Sequence, residues 1–303
     1  MTSPPSLFDR RALIMRRDRA AASGFRDADF LHARAAAEIA DRLGDVPRAF
    51  PSALIVGSGG GAYARALRGH VGAEALEQVE PSPRLAALAR EVAPTTVGDG
   101  PEAAQGGPFD LVVLGLGLHA ENDPVGLLTR IRLALKPDGL LLGATLGGRT
   151  LAELRAALAE AEAAEEGGLS PRVAPMIDIR DAGALLQRAG FAMPVADLDG
   201  VDVDYPDALA LMRDLRAMGE ANALAERRRC FTRRATLLRA CALYAEHFPA
   251  GPGRVRARFD IVHLSGWAPA PGQPVPKRPG SATARLADAL GTVERPAGEK
   301  PGG

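Results

Sequence analysis

The chain has 303 residues, 47% of them hydrophobic, and its 37 basic side chains balance 37 acidic ones. That length suits one large domain or two small ones with a sizeable core, and zero net charge excludes a whole-molecule footprint for nucleic acid or an anionic membrane. No run of 18 or more apolar residues predicts a membrane-crossing helix, and Cys230 and Cys241 fit no disulfide or metal spacing, so both are expected as reduced packing residues in a helical segment of a cytoplasmic protein.

Residues 9–23 predict a short basic helix. The segment from Ser6 to Arg19 is Arg-rich, but it lacks a signal-peptide apolar stretch and carries Asp9 and Asp18, which favours a mature helix over a leader. A second helix is expected over 27–44, with Asp27 as N-cap and Phe30, Leu31, Ile39 and Leu43 on its apolar side. Strands and helices then alternate. Ala53-Leu54-Ile55-Val56 is a continuous apolar run, as a buried parallel strand should be. Weaker strands are expected at 75–79 and 95–97, a strong one at 109–114, and a fifth at 140–146 after the turn Lys136-Pro137-Asp138-Gly139. Helices fall between them, over about 62–68, 82–92 and 124–135. This rhythm predicts a doubly wound, mostly parallel sheet.

The second half predicts helices over 150–166, 178–189, 206–219 and 232–247 and strands over 191–204 and 255–267. The organisation expected is N-terminal helices over 1–50, the main domain over 51–267 with helical insertions at about 148–250, and a Pro- and Gly-rich disordered tail over 268–303.

Gly57-Ser58-Gly59-Gly60-Gly61 lies between a strand and a helix, where glycine permits positive φ and close backbone approach, and the helix start offers N–H groups to an anion. Glu80, ending the second strand, is placed to accept from ribose hydroxyls, and Asp99, after the third, to reach an adenine amine. Gly57, Gly59 and Ala62 with Glu80 also satisfy the dinucleotide pattern, so the turn alone leaves an NAD site open. His119, just past the fourth strand, is the candidate general base. Arg149, Glu153 and Arg155, on or beside a helix expected to cover the cleft, are candidates for gripping a substrate. His32, His70, His119, His247 and His263 are scattered, so no metal site is read.

Phe109-Asp110-Leu111-Val112-Val113, His119 and Leu135-Lys136-Pro137-Asp138-Gly139 together resemble class I S-adenosylmethionine-dependent methyltransferases. A longer set is similar to the bacterial relatives of respiratory complex I assembly factor 5. It includes Phe8-Asp9-Arg10-Arg11, Gly147-Gly148 with Thr150-Leu151, Glu166-Gly167-Gly168-Leu169-Ser170-Pro171, Val203-Asp204-Tyr205-Pro206, Met218-Gly219-Glu220-Ala221-Asn222 and Gly266-Trp267. The malonyl-carrier-protein methyltransferase of biotin synthesis is similar mainly in the first half. The resemblance implies a seven-stranded sheet whose last, antiparallel strand inserts beside the fifth, with helical cap insertions. It implies S-adenosylmethionine held by Gly57, Ser58, Gly59, Gly61, Glu80 and Asp99, and action on an arginine of a complex I subunit, with at most peripheral contact at the inner membrane. Ordinary methylation of a small or carrier-bound acid, or a non-catalytic assembly role, are the alternatives. Three departures from the family pattern bear on them: Ile55 stands where an acidic residue is usual, Ala120 where an aromatic is, and Arg149 where an acid is.

Overall fold

The computed structural model describes residues 6–71, 76–274 and 286–293. Seven strands form one sheet in the order β3-β2-β1-β4-β5-β7-β6. β1 (Ala53–Val56) pairs in parallel with β2 (Leu76–Glu80) and β4 (Phe109–Leu114), and β2 with β3 (Thr95–Val97). All residues of β1 and β4 are buried, which is why β1 reads as an unbroken apolar run and β4 as one broken only at Asp110, whose carboxylate takes Lys136. β5 (Leu135–Gly147) continues the parallel set. β7 (Val255–Trp267) runs antiparallel between β5 and β6 (Ala192–Tyr205), as the resemblance implies. Val255, Ala257, Phe259 and Ile261 enter the core, while Arg256 is exposed.

The helices are α1 (Arg10–Ala22), α2 (Phe30–Gly44), α3 (Ala62–Ala66), α4 (Pro83–Arg90), α5 (Pro124–Ala134), α6 (Ala152–Glu166), α7 (Ile179–Arg188), α8 (Ala208–Ala217) and α9 (Arg234–His247). Two core layers flank the sheet. One gathers Leu31, Ile39, Leu43, Leu154, Leu158, Leu211 and Tyr244, the other Leu127, Leu128, Ile131, Ala182 and Leu186. The chain divides into two compact units, Met1–Pro269 and Ala270–Gly303. The N-terminal helices belong to the first. The expected tail falls partly on 275–285 and 294–303, outside the described residues, as does the expected strand start at Ala75; Leu286–Leu290 forms a short helix, α10, in the second unit.

Three local expectations change. Asp27 does not cap α2: it ends a short 3-10 turn from Phe25, and the helix starts at Phe30 with Asp29 in the N-cap position. Lys136–Gly139 is not a free turn but the irregular start of β5, where Asp138 takes φ 61°, its N–H donates to the Ala268 carbonyl, and Lys136 Nζ pairs with Asp110 at 2.8 Å. Cys230 is exposed and precedes α9, with Arg228 Nε donating to its Sγ; Cys241 is half-buried within that helix.

Candidate functional site

The glycine turn sits at the carboxyl end of β1. Gly57, Gly59, Gly60 and Gly61 all take positive φ, between 52° and 89°. A side chain at Gly59 would strike His32, and one at Gly61 would lie 2.8 Å from Val92 Cγ2, so those two glycines are demanded by packing under the turn. Gly57 and Gly117 differ: a Cβ at either would meet nothing closer than 3.8 Å. The face between the β1 and β4 ends is therefore open to a ligand.

Glu80 is buried at the end of β2. Its Oε2 accepts from the Ser58 N–H and hydroxyl, both at 2.9 Å, and its Oε1 from the Ser82 N–H at 3.1 Å. Glu80 thus fixes the glycine turn while one of the roughly four acceptor positions of its carboxylate stays unused. Asp99 lies in the exposed loop after β3 and is held by Arg10 of α1, whose Nη2 approaches it to 2.5 Å.

A buried polar cluster occupies the end of β4. The Leu116 N–H donates to Tyr63 Oη at 2.9 Å, and Tyr63 Oη lies 3.3 Å from His32 Nδ1. Burial holds the His32 imidazole neutral, its pKa pushed down to about 4, so it and the Tyr63 hydroxyl meet as uncharged hydrogen-bond partners. Beside it, His119 Nε2 is 2.9 Å from Glu220 Oε2, and Arg17 Nη2 is 3.5 Å from Glu220 Oε1. Burial alone would raise the Glu220 carboxyl, but the His119 imidazole and Arg17 guanidinium hold it well below the usual carboxylate range. An ionised Glu220 can only accept, so His119 Nε2 donates to it. Among the described residues, Arg17 Nη2 and His119 Nδ1 are buried without a hydrogen-bond partner. Such orphaned polar atoms beside an open glycine face fit a polar bound group.

α1 spans both sides of this region. Asp18 accepts from Ser82 Oγ at 2.6 Å and from the Arg84 N–H. At the other end Asp9 donates its N–H to the Ala223 carbonyl, caps α1 at Ala12, and pairs with Arg227 at 2.9 Å. Behind it a cavity of about 380 Å³ opens, with Leu31, Leu146, Leu154 and Phe259 on its apolar wall and His119 and Glu220 at its polar end.

Arg149, Glu153 and Arg155 do not line this cavity; Leu151, Leu154 and Leu158 of the same segment do. The Arg149 side chain is exposed while its N–H donates to Asp260 at 2.7 Å, and Arg155 reaches the Ala174 carbonyl. Asp260, which the sequence did not single out, pins the Gly147–Thr150 turn: its N–H meets Thr150 Oγ1, and its carboxylate takes Arg258 at 2.6 Å. The Glu166–Pro171 motif is explained similarly. Glu162, buried, accepts from the Ser170 N–H and hydroxyl and from Arg172, and Glu166 from Thr236 and Arg228. These contacts clasp the cavity wall. Tyr205, buried, donates to Asp214 at 2.6 Å. Ile55 is fully buried in the core, so no polar contact comes from position 55. Arg17 and Glu220 were not among the sequence candidates, because neither type nor spacing marks them; only the motif around Gly219 pointed to this place. Among the described residues, no cluster of His, Cys, Asp or Glu is placed to hold a metal, and no helix is long and apolar enough to cross a membrane.

A parallel sheet with an inserted antiparallel last strand, a glycine turn after β1 and an acid ending β2 define the class I methyltransferase fold. A family model described as a methyltransferase domain matches residues 28–194. The mitochondrial arginine-hydroxylase NDUFAF5 of Danio rerio is 38% identical over 293 residues, covering 93% of this chain and 89% of that protein. Its Homo sapiens counterpart is 37% identical over 286 residues, covering 90% and 80%. A malonyl-[acyl-carrier protein] O-methyltransferase of Laribacter hongkongensis is 38% identical over 164 residues, covering 54% and 52%. Among solved structures, the YcgJ protein of Bacillus subtilis shares the fold, with a TM-score of 0.51 at 13% identity over 77% of this chain and 98% of that one. The chain belongs to the methyltransferase-domain family, and within it to the group of the arginine-hydroxylase relatives.

Proposed function

We propose that this chain is an enzyme that holds S-adenosylmethionine at the Gly57–Gly61 turn and modifies an arginine side chain of a protein during assembly of respiratory complex I. The observation that supports it most is the identity to arginine-hydroxylases along nearly the whole chain, joined to a half-buried carboxylate, Glu220, at the polar end of the cavity. The carrier-protein methyltransferase aligns over only about half of the chain.

Backbone of Gly57, Ser58, Gly59 and Gly61 would hold the methionine part of the cofactor, the free acceptor position of Glu80 its ribose, and Asp99 its adenine once Arg10 yields. When bound, the cofactor supplies an electrophilic carbon. The rest of the work is positioning. Glu220 fixes the tautomer and orientation of His119, and His119 Nδ1 takes up a proton from a bound acceptor. Ionised Glu220 is also the group a guanidinium would pair with in the cavity. Two unbridged cysteines suit a reducing bacterial cytoplasm, with contact at the inner membrane peripheral at most.

Titration calorimetry of the purified protein with S-adenosylmethionine, beside NAD, tests the cofactor assignment. We expect binding that is lost in Glu80→Ala, and no NAD binding. Absence of S-adenosylmethionine binding at millimolar ligand would instead favour a non-catalytic assembly role, with Ile55 as the sign of a disabled cleft.

A further inference from the structure

The chain is electrically neutral as a whole, yet arginines gather at one place. Arg16 from α1, Arg216 from the end of α8 and Arg227 from the loop after it line the same cavity. Arg227 is neutralised by Asp9. Among the described residues Arg16 and Arg216 have no ion-pair partner. Farther in, Arg172 and Arg228 also face the cavity, but Glu162 and Glu166 hold them. Arg16 is half-buried, and burial together with the charges of Arg227, Arg19 and Arg216 disfavours its guanidinium, with Asp9 alone opposing them. Two unpaired guanidinium groups brought to one rim by α1 and α8, the half-buried Arg16 and the exposed Arg216, beside the paired Arg227, point to a ligand that neutralises them.

The cavity's shape restricts that ligand. The arginines stand around a concavity with an apolar wall and the Glu220 carboxylate at its polar end. A planar bilayer cannot reach into it, whereas an extended polypeptide segment can place one side chain inside and its neighbours on the rim. A guanidinium fork grips a carboxylate through two parallel bonds.

We propose that the mouth of this cavity is a carboxylate-recognition site, in which Arg16 and Arg216 receive an acidic residue flanking the modified side chain of the protein substrate. The inference rests on the acceptor-cavity reading above and adds the substrate's flanking chemistry to it.

Fluorescence anisotropy on the full chain with three labelled peptides tests it. The first has a central Arg between Glu residues, the second a central Arg between Gln residues, the third a central Gln between Glu residues. The Glu-flanked arginine peptide should bind about ten-fold more tightly than the Gln-flanked one, the worth of one charge-assisted pair. Arg16→Gln and Arg216→Gln should each erase most of that ratio, leave S-adenosylmethionine binding unchanged, and not lower the thermal midpoint, because each relieves repulsion. Equal binding of the first two peptides, binding of neither, or a ratio that survives both substitutions would overturn the proposal. So would capture by phosphatidylglycerol vesicles that depends on Arg16 and Arg216 in place of peptide binding. The third peptide separates the two readings. If it matches the first, the arginine assignment fails and the carboxylate site stands; if the first two match each other and exceed the third, the reverse holds.

Discussion

Two glutamates stand in the candidate site, and their surroundings differ. Glu80 ends β2 and binds the backbone it must shape, receiving Ser58 and Ser82 within hydrogen-bond distance. Glu220 binds no backbone donor; it faces His119 and Arg17 in a buried cluster. Glu220→Gln keeps its size and removes its charge. Arg17 then stays buried without a counter-charge, and breaking a buried pair in this way costs about 3–5 kcal/mol. Urea unfolding should therefore show a large loss, while Arg155→Ala, outside the cavity, should stay within about 0.5 kcal/mol and leave substrate binding intact. An unchanged Glu220→Gln would mean that its charge is not coupled to the pair. At this scale the placing of Glu80 at the end of β2 and of the glycines in a turn after β1 was legible, because an apolar run followed by a glycine-rich stretch marks a strand and its turn locally. Glu220 and Arg17 were not: they meet only through folding, from positions far apart in the chain, and each alone reads as a solvated charge. Arg149, Glu153 and Arg155 erred the other way, since their helix was placed correctly but the apolar stripe of Leu151, Leu154 and Leu158 faces the cavity.

Among the elements, the cleft depends on how closely β1 and β4 end. A Cβ on Gly115 would overlap the Gly57 carbonyl oxygen and lie 2.7 Å from Tyr63 Cε2, and neither neighbour is a flexible side-chain end. Gly115→Ala must push the two strand ends apart. A loss of about 1–3 kcal/mol is expected from overpacking, with S-adenosylmethionine affinity falling in parallel by calorimetry. Gly117→Ala, whose Cβ would make only ordinary contact with the Gly115 carbonyl oxygen at 3.9 Å, is the control for folding and should keep stability. If Gly115→Ala binds the cofactor normally, the cofactor does not lie along that face. The clasp on α6 makes a second case. Glu162→Gln should loosen the Ser170–Arg172 segment and with it the cavity wall, raising the rate of limited proteolysis there while the sheet still melts cooperatively. β1 was readable because burial on both faces leaves no polar residue in it. The Lys136–Gly139 segment was not, since its Pro and Gly mark a turn locally, and only pairing with β4 and the Ala268 carbonyl draws it into the sheet. The fold class followed from the order of elements, and the antiparallel place of β7 from resemblance rather than periodicity.

The molecule as a whole is held by arginine–carboxylate pairs and buried neutral imidazoles, and this sets its response to pH. His32 has a folded pKa pushed down from 6.5 to about 4 by burial, and burial also lowers His263. The unfolded chain takes up those protons first, so stability that is complete above pH 6.5 declines as pH falls toward 4. The carboxylates follow. Glu162 and Glu220 have folded pKa values held down at about 2 against 4.5 unfolded, and Asp110, Asp199 and Asp204 are also lowered, each by a basic partner that outweighs burial where the two compete. Their contribution is present above pH 4.5 and is lost between there and 2. Both groups act with the same sign, because in each the unfolded chain binds more protons. Asp29, raised by burial, opposes them as a single group. The thermal midpoint should thus be level between about pH 7 and 8, begin to fall below 6.5, and steepen below 4.5. His32→Gln should remove part of the upper decline and leave the lower one. A midpoint level from pH 7 to pH 4.5 would show that His32 is charged or solvated in the native state. The Leu116–Tyr63–His32 chain behind the glycine turn would then need a different proton arrangement, and the packing that demands Gly59 with it.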